Sequence, residues 1–387
     1  MKSQTRKLLI VSLAPTILKN DRFYSYAPYV DEMDIWFKYS KDKRILAPFH
    51  HPSKLLLKAF STSDIKRYYI PYIAFNTYSN VLISLIKLPF VLLQMFRAMF
   101  WADHIHLRCP GNIGLLGCLV QVFFPSRQKT AKYAGNWDPK AKQPLSYKFQ
   151  KWILSNTFLT KNMQVLVYGQ WGNQTKNIKP FFTATYSEAE KVSFSAIDYT
   201  KPLQFVFAGM LVPGKRPLLA IQFVEELNKR GIPANLELFG DGPLRQELDE
   251  YVADKKIKHQ ISLHGNQDKS AVKAALIKSH FNILLSKSEG WPKALAEGMF
   301  FGCIPVTTTV SCVPWMLDEG QRGIIVKPEL EAAVSHFIDV YKPANLDAMA
   351  QKALHWSQRY TLDRFELEIK KLLCHAEGGT TEASQFS

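Results

Sequence analysis

The sequence predicts an α/β protein built from two doubly wound parallel sheets that face each other across a cleft. Three observations carry this expectation. Short apolar runs at residues 7–13, 44–47, 104–107, 130–134 and 164–167 alternate with longer helical or mixed stretches. A second series follows at 203–208, 235–239, 261–264, 282–285, 304–307 and 323–326, again with helical segments between. Alternation of this kind is what strand–helix–strand crossovers require. The length of 387 residues exceeds one typical core and suits two domains of roughly 150 to 200 residues each.

The elements follow in order. The N-terminal domain is expected over 1–199 and the second over 200–354, because a polar stretch with Pro202 separates the two series near 198–202. Residues 356–373 have helical spacing and close the fold, so 355–374 is expected as a terminal helix. Residues 375–387 are rich in Gly, Thr, Ser and Glu and are expected to be a mobile tail.

Composition narrows the class. A hydrophobic fraction of 47% and an aromatic fraction of 13% exclude general disorder. The five cysteines, Cys109, Cys118, Cys303, Cys312 and Cys374, are scattered without metal-ligand spacing; a reducing compartment and no metal are expected. Residues 1–6 are polar, and the apolar run after them is too short for a signal peptide. A cytoplasmic protein is the expectation. Residues 1–200 hold 27 Lys and Arg against 11 Asp and Glu, so the whole net charge of +16 belongs to the first half. That asymmetry points to an anionic membrane surface as a partner, because no RNP, KH, zinc-finger or helix-turn-helix pattern accompanies it and nucleic acid is therefore not expected.

Residues 81–101 are strongly apolar but interrupted by Lys87, Pro89, Gln94 and Arg97, which argues against a spanning helix. Two readings stay open, a core helix and an interfacial helix with cations and aromatic residues at headgroups.

The densest chemistry lies in Ser286-Lys-Ser-Glu-Gly-Trp-Pro-Lys-Ala-Leu-Ala-Glu297. An apolar strand precedes it, a small polar loop holds Glu289, and a helix opening at Pro292 carries Glu297. Gly302 suits the left-handed position after that helix. Backbone N–H groups of Gly290, Trp291 and Lys293 would meet an anion at the helix N-terminus. Upstream, Gly209-Met-Leu-Val-Pro-Gly-Lys215-Arg216 brings two cations to the carboxyl edge of the sheet, where open α/β folds bind ligands and where phosphate oxygens could be neutralised. Leu238-Phe-Gly-Asp-Gly-Pro-Leu244 and Leu263-His-Gly265-Asn266 each close a strand on glycine.

Taken in order, Phe207-Ala-Gly209 with Lys215, Phe239-Gly-Asp-Gly-Pro243, His264-Gly265, Glu289 to Glu297 and Gly302-Cys-Ile-Pro-Val306 closely resemble the GT4 family of retaining glycosyltransferases, over about residues 203–327. The resemblance implies the GT-B architecture of two Rossmann-like domains, with a nucleotide sugar held by the second. It also implies that Glu289 holds hydroxyls of the transferred sugar, Gly290 to Pro292 line the diphosphate, Lys215 neutralises it and Glu297 binds the ribose. Gly209, Arg216, Gly265 and Lys293 complete the donor-side set. The family often has Arg directly after the strand glycine; here that position is Met210, and Arg216 is its candidate replacement.

In the first half the resemblance is weaker. Arg108, Asn112, Asn136 and Asp138 follow strands and are the acceptor-side candidates, a capping turn being the other reading of Asn136 and Asp138. His104 and His106 alternate along a strand and read as structural, one of them buried. The expected activity is transfer of a sugar, from a UDP- or GDP-linked donor and without a further cofactor, to a lipid-linked or growing polysaccharide acceptor at the inner face of a membrane. A nucleotide-sugar 2-epimerase of the same architecture and a non-catalytic sugar-nucleotide-binding scaffold are the rivals.

Overall fold

The computed structural model describes residues 5–50, 56–196 and 198–374; the tail expected over 375–387 lies outside them. The first domain runs β1 (Thr5–Val11), β2 (Ile17–Lys19), β3 (Arg22–Tyr26), α1 (Ala27–Lys38), β4 (Ser40–Pro48), β5 (Leu57–Ala59) and β6 (Lys66–Ile70). It continues through α2 (Tyr78–Trp101), β7 (His104–Cys109), α3 (Asn112–Val120), β8 (Gln128–Tyr133), α4 (Leu145–Ser155), β9 (Met163–Tyr168) and β10 (Ile178–Phe181). Seven of these strands form one sheet in the order β10-β9-β8-β7-β1-β4-β6, every pair parallel, while β2, β3 and β5 form a small antiparallel sheet.

Strand alternation in β1 splits this domain's core in two. Leu8 and Ile10 face Val30, Met33 and Trp36 of α1, whereas Leu9 and Val11 face Val91, Met95, Ile113 and Ile153 of α2, α3 and α4. The topology explains the split. The crossovers through α2, α3 and α4 all progress across the sheet in one direction and the crossover through α1 runs the other way, and a right-handed connection then puts them on opposite faces.

The second domain contains β11 (Leu203–Ala208), α5 (Pro217–Lys229), β12 (Ala234–Phe239), α6 (Arg245–Asp254), β13 (Ile261–Gly265) and α7 (Lys269–Lys278). There follow β14 (Phe281–Leu284), α8 (Lys293–Phe300), β15 (Ile304–Thr308), α9 (Val313–Met316), β16 (Ile324–Val326) and α10 (Leu330–Val340). The order β13-β12-β11-β14-β15-β16 is parallel throughout. Strand order reverses between β11 and β14, and in the first sheet between β7 and β1; such reversals open the crevice where ligands bind.

The helix expected over 356–373 is two helices. Residues Trp356 and Ser357 end α11 (Pro343–Ser357), and α12 (Leu362–Cys374) starts after a break at 358–361. The break is a crossing between domains. Leu362 N–H donates to the Tyr186 carbonyl, Gln358 Nε2 to Val192 O, and Thr361 Oγ1 to Glu188, so the return segment is bonded to the outgoing linker. Beyond it, Phe365 packs on Phe181 and Phe182 of the first domain, and Glu366 accepts hydrogen bonds from Lys38 and Tyr39 at the end of α1.

His104 and His106 correct the sequence reading. Residues two apart share one face of a strand, and both are buried, in tilted ring contact with Trp36 and hydrogen-bonded to the same Thr130 hydroxyl at 2.9 Å. Burial drives the His104 ring down to about 4 and the His106 ring well below the ordinary value, with Arg108 and His104 adding to the second shift.

Candidate active site

The donor-side residues gather at the β11/β14 reversal. The loop after β11 curls through residues 213–215 so that Lys215 Nζ lies 2.9 Å from Glu289 Oε1, which also accepts the Ser286 hydroxyl at 2.7 Å. The two loops are stitched by Lys287 N–H to the Gly214 carbonyl, 2.8 Å. Both side chains keep some solvent access, 27% for Lys215 and 12% for Glu289, so the pair is held but reachable. Gly209 ends the strand against the Lys215 side chain: a Cβ there would meet its Cδ at 3.2 Å. Met210 is exposed. Arg216 turns in the left-handed region, φ 49°, and points its guanidinium at the Leu285 carbonyl at 3.4 Å, at the root of the Glu289 loop. Gly265 closes β13 and accepts the Gly240 N–H.

Helix α8 begins at Lys293 with Pro292 as its cap, and Gly302 takes φ +90° after its end, the conformation that glycine adopts at no steric cost. Of the three N–H groups expected to face an anion, that of Lys293 is taken by the Trp291 carbonyl at 2.7 Å, a tight turn that proline at 292 enforces. The Trp291 ring is buried among Tyr168, Trp315, Trp356 and Tyr360, so its backbone, not its ring, is what a ligand can meet. Gly290 sits where the two domains touch. A Cβ on it would lie 2.4 Å from the Ala134 carbonyl oxygen, and its own carbonyl accepts the Ser311 hydroxyl. Glu297, on the inner side of α8, accepts the Thr185 hydroxyl at 2.6 Å and has Lys293 Nζ at 3.9 Å.

The acceptor-side candidates divide. Arg108, at the carboxyl end of β7, pairs in register with Lys132 on β8, and Glu32 of α1 bridges the two, its Oε1 3.0 Å from Lys132 Nζ. Burial works to raise the Glu32 carboxyl, but the charges of Arg108 and Lys132 outweigh it and hold it below the ordinary value. Burial lowers the Lys132 ammonium to about 8 despite Glu32. The cluster carries one cation more than anion beneath the cleft. Asn112 opens α3 beside it, its amide 3.5 Å from the Ile73 carbonyl. Asn136 and Asp138 turn the chain instead: Asn136 Oδ1 accepts the Asp138 N–H, and Asp138 Oδ1 accepts the Lys140 N–H. The capping reading of these two is the one their geometry fits.

Glu32, Lys132, Thr185 and Ser286 escaped the sequence reading. A lysine inside the apolar run 130–134 was one available signal, since a charged group in a buried strand needs a partner; Glu32 and Thr185 are set by contacts across long stretches of chain, whereas Ser286 lies only three residues from Glu289 in the same loop. Among the described residues no group of three or more acidic, histidine or cysteine side chains is placed to hold a metal ion.

Residues 189–354 match the family model of glycosyl transferases group 1. Over 138 residues the chain is 30% identical to the Salmonella typhimurium protein named "Putative colanic acid biosynthesis glycosyltransferase WcaL", an alignment spanning 34% of each protein. It is 23% identical over 152 residues to the alpha-D-kanosaminyltransferase of Streptomyces kanamyceticus, 38% of this chain and 39% of that one. The matched segments thus span little more than a third of those relatives. Solved structures extend the likeness to the whole chain. Anabaena HepE in complex with UDP and glucose superposes with a TM-score of 0.66 at 13% identity, covering 96% of this chain and 100% of that one. Sucrose-phosphate synthase from Thermosynechococcus elongatus gives 0.64 at 13%, covering 95% and 98%. The fold is the GT-B architecture.

Proposed function

We propose that the chain is a retaining glycosyltransferase of the GT4 kind, moving a sugar from a UDP- or GDP-linked donor to a lipid-linked or growing polysaccharide acceptor at the cytoplasmic face of a membrane. The observation that carries this is the Lys215–Glu289 pair spanning the β11/β14 reversal. Family match and the UDP-bound neighbour support the donor class, and the colanic acid relative supports a polysaccharide acceptor.

The chemistry follows from the placement. Transfer breaks the bond from the anomeric carbon to the diphosphate oxygen and forms one to an acceptor hydroxyl on the same face of the sugar; the acceptor's proton passes to the departing diphosphate oxygen as that bond forms. Negative charge grows on the departing diphosphate. In this reading Lys215, Arg216 and the N-terminal dipole of α8 offset that charge. Glu289, held by Lys215 and Ser286, accepts hydrogen bonds from sugar hydroxyls and fixes the ring. Glu297 offers the same to ribose hydroxyls once Thr185 releases it. Neither carboxylate is assigned nucleophilic attack.

The test is a panel of nucleoside diphosphate sugars offered without acceptor, reading thermal shift and release of free nucleoside diphosphate. One donor that stabilises the fold and is slowly hydrolysed is expected. No stabilisation by any donor at millimolar concentration would overturn the reading, and accumulation of an epimerised free nucleotide sugar would replace it with epimerisation.

A further inference from the structure

Helix α2 is long and apolar enough to cross a membrane by length and composition, yet it lies on a sheet. Val91, Met95, Ala98 and Met99 are fully buried in the first domain's core, and Ser84 Oγ is bonded to both backbone groups of Ala74. Its opposite face is neither buried nor polar. Leu82, Ile86, Phe90, Leu93, Phe96 and Phe100 recur at helical spacing and are each 43 to 81% exposed. At 1.5 Å per residue this apolar stripe runs along a helix about 36 Å long.

The stripe continues beyond α2. Phe96 touches Phe123, itself 71% exposed, in the turn after α3, and α4 presents Leu145, Phe149 and Trp152 outward. All three helices cover the same face of the sheet. Of the 24 large hydrophobic residues exposed among the described residues, 15 fall between Tyr78 and Phe158, where a soluble surface would scatter them. The charge of the same region is one-sided. Residues 65–187 carry 15 Lys and Arg and only two acids, Asp103 and Asp138. Exposed Arg97 stands between Phe96 and Phe100, Lys142 and Lys148 flank Leu145, and Lys161 follows Phe158. Apolar groups interleaved with cations and nearly free of carboxylates, Asp103 being paired with Arg127, match an anionic headgroup layer over apolar chains; a protein surface of that extent would leave the cations to be matched one by one.

We propose that the outward face of α2, α3 and α4 is a docking surface for an anionic lipid bilayer, which the protein lies on without crossing. Helices α2, α3 and α4 follow the carboxyl ends of β6, β7 and β8 in turn, α3 directly and the others after longer loops, so all three lead off from the edge of the sheet where the cleft lies. Docking brings the bilayer surface to the acceptor side of the cleft, and an acceptor anchored in that bilayer reaches the site without leaving it. This last step rests on the transferase reading above; the docking itself does not.

The experiment is sedimentation of the full chain with phosphatidylglycerol and with phosphatidylcholine vesicles, beside hydrolysis of a UDP-sugar in vesicle-free solution. Binding is expected on phosphatidylglycerol, weaker at least tenfold on phosphatidylcholine. Ile86→Asp with Leu93→Asp should lower bound protein at least tenfold, and Arg97→Glu with Lys148→Glu at least threefold on the anionic vesicles, with solution hydrolysis unchanged in both. Equal binding to the two lipids, or binding indifferent to both pairs of substitutions, overturns the proposal. So does a wild-type dimer that Ile86→Asp with Leu93→Asp dissociates in the absence of vesicle binding, since a second copy would then own the face. Vesicle binding as described with no donor hydrolysis by any variant would leave the docking surface standing and remove the transferase reading.

Discussion

Gly290 and Ala134 meet backbone to backbone across the cleft: a single Cβ on Gly290 would stand 2.4 Å from the Ala134 carbonyl oxygen. An ordinary contact needs about 1 Å more, and a carbonyl at a strand end cannot yield it as a flexible side chain would. Gly290→Ala should therefore hold the two domains slightly open. Small-angle scattering should show a larger radius of gyration, and donor turnover should fall on the order of 100-fold, the scale of a 1 Å misplacement at a reacting centre. Unchanged scattering and turnover would remove the contact from the mechanism.

The Lys215–Glu289 pair makes a sharper test. Glu289→Gln keeps the shape and loses the charge, and Lys215→Ala strips the cation proposed to meet the diphosphate. Each should lower kcat by about 10² to 10³, the range for one electrostatic group in a transition state. Circular dichroism should be native for Glu289→Gln. Wild-type rates in both variants would sink the assignment.

Glu297 should behave differently, because the ribose contact proposed for it would be made in ground and transition state alike. Glu297→Ala should weaken UDP binding about 10- to 150-fold, the ~1.5 to 3 kcal/mol of hydrogen bonds to a charged group, and leave kcat nearly alone. Calorimetry with UDP reads the first and saturating kinetics the second. A fall in kcat with unchanged UDP affinity would move Glu297 out of the donor site.

Stability should fall on mild acidification because of His104 and His106. Both rings are neutral when folded, His104 pushed to about 4 and His106 well below its ordinary value, burial being the largest cause in each, and both regain ordinary basicity near 6.5 when unfolded. The unfolded chain then binds more protons as pH drops from about 6.5 toward 4, so unfolding free energy declines across that window by up to ~1.4 kcal/mol per pH unit for each ring, and is fully present above it. Urea midpoints at pH 7.5 and 5.5 check this. His104→Gln with His106→Gln, both amides within reach of Thr130, should flatten the difference; an equal slope in that variant would assign it to other groups.

Much of the fold could be read from alternating apolar runs, because a buried parallel strand is apolar on both faces and announces itself. In the first domain the edges do not: β6, β10 and the small sheet of β2, β3 and β5 are half-exposed and mixed in composition, and none was anticipated, whereas the edge strands β13 and β16 of the second sheet were. Within the site, the Lys215 turn, the Glu289 loop and the Gly302 stop are local features with local signals. The Glu297 partner Thr185 and the Arg108 partner Glu32 come from 112 and 76 residues away, where no spacing rule reaches. Helix α2 eluded a single reading because its two faces are both apolar, one for the core and one for the outside. Composition cannot tell these apart.

The outgoing linker at 186–192 and the return at 358–362 are hydrogen-bonded to one another where they cross between domains. Two crossings fused along one line act as a door hung on a double hinge: sliding and twisting are suppressed, and swinging about that line survives. Any swing about that line separates Gly290 from Ala134, and closing restores the same backbone contact.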